Sequence, residues 1–91
     1  MTEVYRNWIN SLKDRAGRAR LQVRIDRLTH GNPEQHRKLT GRVRELKIGF
    51  GPSYRVYYTE RGGELIILLA GGDKSTQQAD IKTAISLARD L

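Results

Sequence analysis

Cysteine is absent from all 91 residues. That excludes a disulfide framework and a thiolate metal site, and it fits a reducing cytosol. Long apolar runs are absent too: none approaches the ~20 residues that span a bilayer, and no signal-peptide pattern opens the chain. The expectation is a cytoplasmic protein that stays off the membrane. There are two histidines, His30 and His36, and neither has a nearby serine, cysteine or metal-spaced partner. Both read as loop residues, so no metal and no cofactor are expected. No repeat or low-complexity tract is visible. Acidic residues are outnumbered, 10 against 17 Lys and Arg, for a net charge of +7 and a pI near 10.3. Such an excess points to an anionic partner: nucleic acid, an acidic protein or a membrane surface.

The charge is uneven. Residues 1–44 hold 11 Lys and Arg against 4 Asp and Glu, whereas residues 45–91 hold 6 against 6. The whole excess therefore lies in the first half. The length suits one domain, 1–91, with a modest core.

Thr2 is placed to cap a helix over 3–13, with Val4, Trp8 and Leu12, flanked by Tyr5 and Ile9, as its apolar stripe. Asp14 is placed to cap a second helix over 15–29, stopped by Gly31 and burying Leu21, Ile25 and Leu28. Arg18, Arg20, Arg24 and Arg27 surround that second stripe. An arginine-rich helix face is either plainly solvated or a phosphate- and carboxylate-binding surface, since guanidinium binds both bidentately. Residues 30–42, with Gly31, Pro33 and Gly41, read as a polar connection.

Three strands follow, over 43–48, 54–59 and 64–70. Gly-Phe-Gly-Pro turns the chain between the first two, and Glu-Arg-Gly-Gly between the last two. The third strand is apolar on both faces, which predicts a central position with both faces covered. Ser75 and Gln78 have capping-box spacing, so a last helix is expected from Thr76, with Ile81, Ala84, Ile85 and Ala88 as its stripe.

Side chains alternate along a strand. If Leu46, Ile48, Val56 and Tyr58 face the core, Lys47 and Arg55 emerge together on the open face. The pair is either a phosphate clamp or two ordinary solvent-facing charges. On this placement Arg55 leaves the core face, and its loss should cost little packing. Lys74 lies between the third strand and the last helix, as a polar turn residue or as a cation where anions meet a helix start.

The residues Trp-Ile-Asn-Ser-Leu-Lys-Asp (8–14), Gly31-Asn32, Glu-Leu-Lys-Ile (45–48), Gly-Pro-Ser-Tyr-Arg-Val-Tyr-Tyr (51–58), Leu-Leu-Ala-Gly-Gly-Asp-Lys-Ser-Thr-Gln (68–77) and Asp80-Ile81 resemble the addiction module killer protein branch of the RelE/ParE toxin superfamily. That branch is also described as HigB-like or phage-derived Gp49-like. The resemblance implies an α+β fold with two N-terminal helices on one face of a small antiparallel sheet, and a C-terminal helix. It also implies the toxin of a type II toxin–antitoxin system, with two activities in the superfamily. RelE- and HigB-like members cut mRNA in the ribosomal A site, and ParE-like members inhibit DNA gyrase without catalysis. The implied partners are an antitoxin from a neighbouring gene, often with a helix-turn-helix domain and joined in a hetero-oligomer, and the ribosome with its mRNA.

Carried over by motif, Arg55 resembles the arginine that stabilises the scissile phosphate. Lys47 resembles a basic residue taking part in proton abstraction, and Lys74 lies where a basic residue approaches the leaving group. Arg18, Arg20, Arg24, Arg27, Arg44 and Tyr57 are the expected contacts to RNA, ribosome or antitoxin. The family's tyrosine after the last basic residue is matched here by Asp80, and the usual strand before the first helix is missing. A plain basic nucleic-acid-binding module is the remaining alternative, because fold alone does not decide function.

Overall fold

A computed structural model of the chain describes residues 1–31, 36–49, 51–63 and 65–91. Asn32 and Pro33 of the expected connection, Phe50 of the expected turn and Glu64 at the expected start of the third strand lie outside the described residues.

Helix α1 (Glu3–Ser11) begins as expected, with the Thr2 hydroxyl oxygen accepting the Tyr5 N–H at 3.1 Å. It stops two residues short of the expected end, and its stripe is rotated. Tyr5 is buried, Trp8, Ile9 and Leu12 pack on the same core, and Val4 is exposed. Turning Tyr5 inward buries more apolar surface than turning Val4 inward. The Trp8 indole lies directly over Gly71, where any Cβ would strike it.

Helix α2 (Arg15–Thr29) matches expectation. Asp14 Oδ1 accepts the Gly17 N–H at 3.0 Å, and Leu21, Ile25 and Leu28 are buried. The chain leaves α2 through Gly31 at φ 86°.

The sheet has four strands: β1 (His36–Lys38), β2 (Arg44–Ile48), β3 (Tyr54–Arg61) and β4 (Leu65–Gly72). All are antiparallel, in the order β1-β2-β3-β4. This corrects the expectation of three. β1 lies inside the stretch read as a polar connection; its three residues are exposed and carry no apolar alternation, so main-chain pairing with β2 makes it a strand. A second correction concerns the centre. β3 is the inner strand beside β4, and β4 is an edge. A strand apolar on both faces needs cover on both faces, which helices supply here, and not neighbours on both edges. Ile66 and Leu68 pack with the α1–α2 core, while Ile67, Leu69 and Ala70 pack under the last helix. Among the described residues no strand precedes α1, as expected. Thr2 instead donates its N–H to Leu68 O at 3.0 Å and its hydroxyl to Leu69 O at 2.5 Å, at the outer edge of β4.

After a 3₁₀ turn (Lys74–Thr76), helix α3 (Gln77–Arg89) starts one residue later than expected. The Ser75–Gln78 capping box does not form. Thr76 stands at the N-cap of α3 with no side-chain capping bond, and Asp73 caps the preceding 3₁₀ turn, its carboxylate accepting the Ser75 N–H at 2.8 Å and the Ser75 hydroxyl at 2.5 Å. The expected stripe holds, with Ala84 buried and Ile81, Ile85 and Ala88 packed against Val43, Tyr57 and Leu69. The sheet is thus covered on both faces, by α1 and α2 on one side and by α3 over β3 and β4 on the other.

Candidate functional site

The β2–β3 register sets Lys47 directly opposite Arg55 and Glu45 opposite Tyr57. On the flanking strands Arg37 lies opposite Glu45, and Gly72 opposite Arg55. Directly paired positions share a face. One face of the sheet therefore carries Arg37, Glu45, Lys47, Arg55 and Tyr57 side by side. The expected pairing of Lys47 with Arg55 is present.

The openness of that face is not as expected. Lys47 is exposed, but Arg55 retains only 6% of its surface. The cause lies in the turn into α3. Gly72 has no side chain, and the Thr76 and Asp80 side chains occupy the space a Cβ there would need. The first turns of α3 therefore descend onto the sheet beside Arg55. Arg55 is inside the fold, and the expectation that its loss costs little packing does not hold.

Arg55 is fixed from two sides. Its Nη1 donates to Ser53 O at 2.9 Å, and its Nε lies 4.0 Å from Glu45 Oε2. Ser53 sits at φ 60°, an uncommon conformation for a residue other than glycine. Strained backbone of this kind gathers at functional sites. Glu45 is 4% exposed and has several partners. Its carboxylate accepts from Arg37 Nε at 2.9 Å, from Arg37 Nη2 at 3.3 Å and from Gln77 Nε2 at 3.1 Å. A buried carboxylate is tolerable only when paired and hydrogen-bonded in this way. Arg37 thus pairs with Glu45 directly and Arg55 stands beside it, while the Asp73 and Asp80 carboxylates lie close enough to act on Arg55 and Tyr57. A cavity of about 310 Å³ opens among His36, Arg37, Glu45 and Lys47.

The remaining candidates are spread out. Lys74 is exposed on the 3₁₀ turn, in a separate cavity of about 620 Å³ with Gln77, Gln78 and Lys82. The hydrogen bond from Ser75 holds the neighbouring Asp73 carboxyl below its usual range, and the Arg55 charge adds to that. Asp80, at the family's tyrosine position, accepts the Thr76 hydroxyl at 2.5 Å. Tyr57 is wholly buried, so it presents no surface to RNA or to a partner. Burial, then the Glu45 and Asp80 charges, pushes its phenol far up. Arg44 is half-buried and paired with Glu60 at 2.9 Å on the opposite face. Arg20, Arg24 and Arg27 are on that opposite side too. With Ala19, Val23, Ile48 and Gly49 they line a groove of about 460 Å³. Arg18 is exposed elsewhere on α2. The structure therefore separates the α2 arginines from the Lys47–Arg55 pair.

Glu45, Arg37 and Gln77 were not foreseen as part of this cluster. Glu45 stands two residues before Lys47, so strand alternation alone places it on the Lys47 face. Arg37 and Gln77 reach it through β1 and α3, and no local pattern announces either contact. Among the described residues no group of three or more His, Asp or Glu side chains gathers as metal ligands would.

Residues 7–91 match the family described as phage-derived protein Gp49-like (DUF891). The chain belongs to this family. It is one of RelE/HigB-like toxin–antitoxin toxins, in keeping with the motifs along β2, β3 and the start of α3. The Gp49-like chain is also 42% identical over 90 residues to a protein of Haemophilus influenzae described as uncharacterized, covering 99% of this chain and 91% of that one. No solved structure matches it significantly. Within the described residues of this Gp49-like protein, no helix is long and apolar enough to cross a membrane.

Proposed function

We propose that this chain is the toxin of a type II toxin–antitoxin pair and a metal-independent endoribonuclease that cuts mRNA on the ribosome. The observation that carries the reading is the cross-strand pair Lys47 and Arg55, an exposed amine directly opposite a fixed guanidinium on a rigid sheet. RNA cleavage of this type requires the 2′-hydroxyl to lose its proton, the pentavalent phosphorane to be stabilised and the departing 5′-oxygen to be protonated. The protein has no histidine pair for the transfers, so cations take these roles. Lys47 takes part in removing the 2′-proton. Arg55, always charged and preoriented, stabilises the phosphorane. Lys74 takes the leaving-oxygen role by resemblance to the family motif alone, since it lies in a separate cavity; Asp80, bound to Thr76, does not replace the missing tyrosine. A site built on positioning is weak on free RNA and strong where a ribosome holds the substrate in a fixed pose. Ribosomal RNA also accounts for the basic first half of the chain. The antitoxin, in this reading, lays an acidic segment against the α2 arginines on the other side of the sheet.

One observation favours a second reading. Arg55 is nearly covered by α3, as a structural residue would be, and a ParE-like gyrase inhibitor needs no exposed catalytic cation. A single experiment separates the two. A reporter mRNA is translated in a purified bacterial system with and without the protein, its 5′ ends are mapped, and gyrase supercoiling is assayed in parallel. New 5′ ends that depend on ribosomes and vanish in Lys47→Ala support the nuclease. Intact mRNA with blocked supercoiling supports the gyrase inhibitor.

A further inference from the structure

The Glu45 carboxylate joins three separate elements of the site. It lies on β2, two residues from Lys47 and diagonal to Arg55. It is 4% exposed, so its charge is held away from water. Arg37 reaches it from the edge strand β1 with two bonds, at 2.9 and 3.3 Å. Gln77 reaches it from the first residue of α3 at 3.1 Å. Arg55 Nε stands 4.0 Å away, with no hydrogen-bond partner of its own. A general base would need a free lone pair facing substrate. This carboxylate is already surrounded by donors, and Arg37 covers it with a side chain that is 57% exposed. Its geometry suits holding, not proton transfer.

We propose that Glu45 is a positioning residue: its buried carboxylate orients the Arg55 guanidinium and, through Arg37 and Gln77, ties β1 and the start of α3 around the Lys47–Arg55 pair. This rests on the nuclease reading for its catalytic consequence, but the orientation of Arg55 is measurable without it. The physical argument is electrostatic. A guanidinium in a buried site keeps its direction when an opposite charge and a carbonyl bracket it, here Glu45 and Ser53. With Glu45 neutralised, Arg55 keeps the Ser53 carbonyl and the weaker pull of the Asp73 charge, and its plane is freer to turn away from the phosphate path. Substrate would still be held by the surrounding cations, so the loss belongs to the chemical step and not to binding.

The test uses the full chain and two variants. Glu45→Gln keeps the shape and removes the charge. Glu45→Asp keeps the charge and withdraws it by one methylene. In ribosome-dependent cleavage, Glu45→Gln is expected to lower kcat about 30-fold or more while KM moves less than about threefold. Glu45→Asp should recover part of that loss. Nuclear magnetic resonance of the arginine Nε–H groups reads Arg55 directly, with Arg55→Lys used to assign the signal. A slowly exchanging Arg55 Nε–H in the wild type should shift and exchange faster in Glu45→Gln. Should Glu45→Gln fail to fold in a melting scan, the same shift and rate loss are read in Glu45→Asp. The proposal is overturned if the folded variant leaves the Arg55 signal unmoved, or if cleavage stays within threefold of wild type. If the wild type cuts no mRNA while the Arg55 signal still depends on Glu45, the positioning role stands and the nuclease reading falls.

Discussion

Arg55 and Lys47 face each other across one pair of strands, yet their substitutions carry different information. Arg55 is buried, with its Nη1 on the Ser53 carbonyl and its charge beside Glu45. Arg55→Ala should lower cleavage by about 10²–10³, as loss of an oxyanion-hole donor does. It should also destabilise the fold by about 1–3 kcal/mol, because the part-buried Ser53 carbonyl loses its donor and the buried Glu45 loses a neighbouring opposite charge. Growth arrest lost in that variant is therefore ambiguous by itself. Lys47 is exposed and has no such structural duty. Lys47→Ala should leave stability within about 0.5 kcal/mol and still reduce cleavage by about 10²–10⁴ if the amine takes part in proton transfer. The measurement is a melting scan beside 5′-end mapping for each variant. A well-folded Lys47→Ala protein that cuts at the wild-type rate removes Lys47 from the chemistry.

Elements explain what was legible in the sequence and what was not. The helices were legible because their signals are local. Asp14 and the Leu21, Ile25, Leu28 stripe define α2 within one segment. β2 and β3 were legible through alternation, which also put Lys47 and Arg55 on one face. β1 was not, because His36–Lys38 has no pattern and becomes a strand only beside Glu45. The cover over Arg55 was hidden for a related reason. It depends on Gly72 letting α3 settle onto β3 and β4, a contact between segments. That contact can be tested. Gly72→Ala places a methyl group against the Asp80 carboxylate and the Thr76 hydroxyl, so it should destabilise by about 1–3 kcal/mol as overpacking does. Urea unfolding checks this, and an unchanged midpoint would mean that α3 is not seated on Gly72. The α2 groove makes a separate prediction about the antitoxin. Arg24→Glu with Arg27→Glu should weaken the toxin–antitoxin complex by more than about tenfold at low salt, the loss of two charge-assisted contacts. Calorimetric titration at two salt concentrations reads it, and an unaltered affinity would place the antitoxin elsewhere.

The molecule as a whole has a basic surface, +7 in net charge, around a core that depends on tyrosine. Its four tyrosines, Tyr5, Tyr54, Tyr57 and Tyr58, are all buried. Burial is the leading cause in each of an upward-shifted phenol, with Tyr5 pushed up to about 12. The direction of the pH dependence follows. A phenol whose folded value lies above its unfolded value near 10 favours the fold while it is protonated. That contribution is fully present below about pH 10 and is lost as pH rises toward 12. Stability should therefore fall steeply above about pH 10, and phenolate absorbance should rise together with unfolding, not before it. Tyr58 sharpens the test, because its buried hydroxyl makes no hydrogen bond of full geometry and has only the Arg44 guanidinium nearby as a donor. Tyr58→Phe gives up no more than the weak approach to Arg44 and removes one shifted group, so it should flatten the alkaline fall with little change in stability at neutral pH. Melting scans and phenolate absorbance from pH 8 to 12 check both statements. Phenolates that titrate near 10 in a protein still folded would mean that these rings are not sealed from water, and the two packed faces of the sheet would have to be looser than the structure shows.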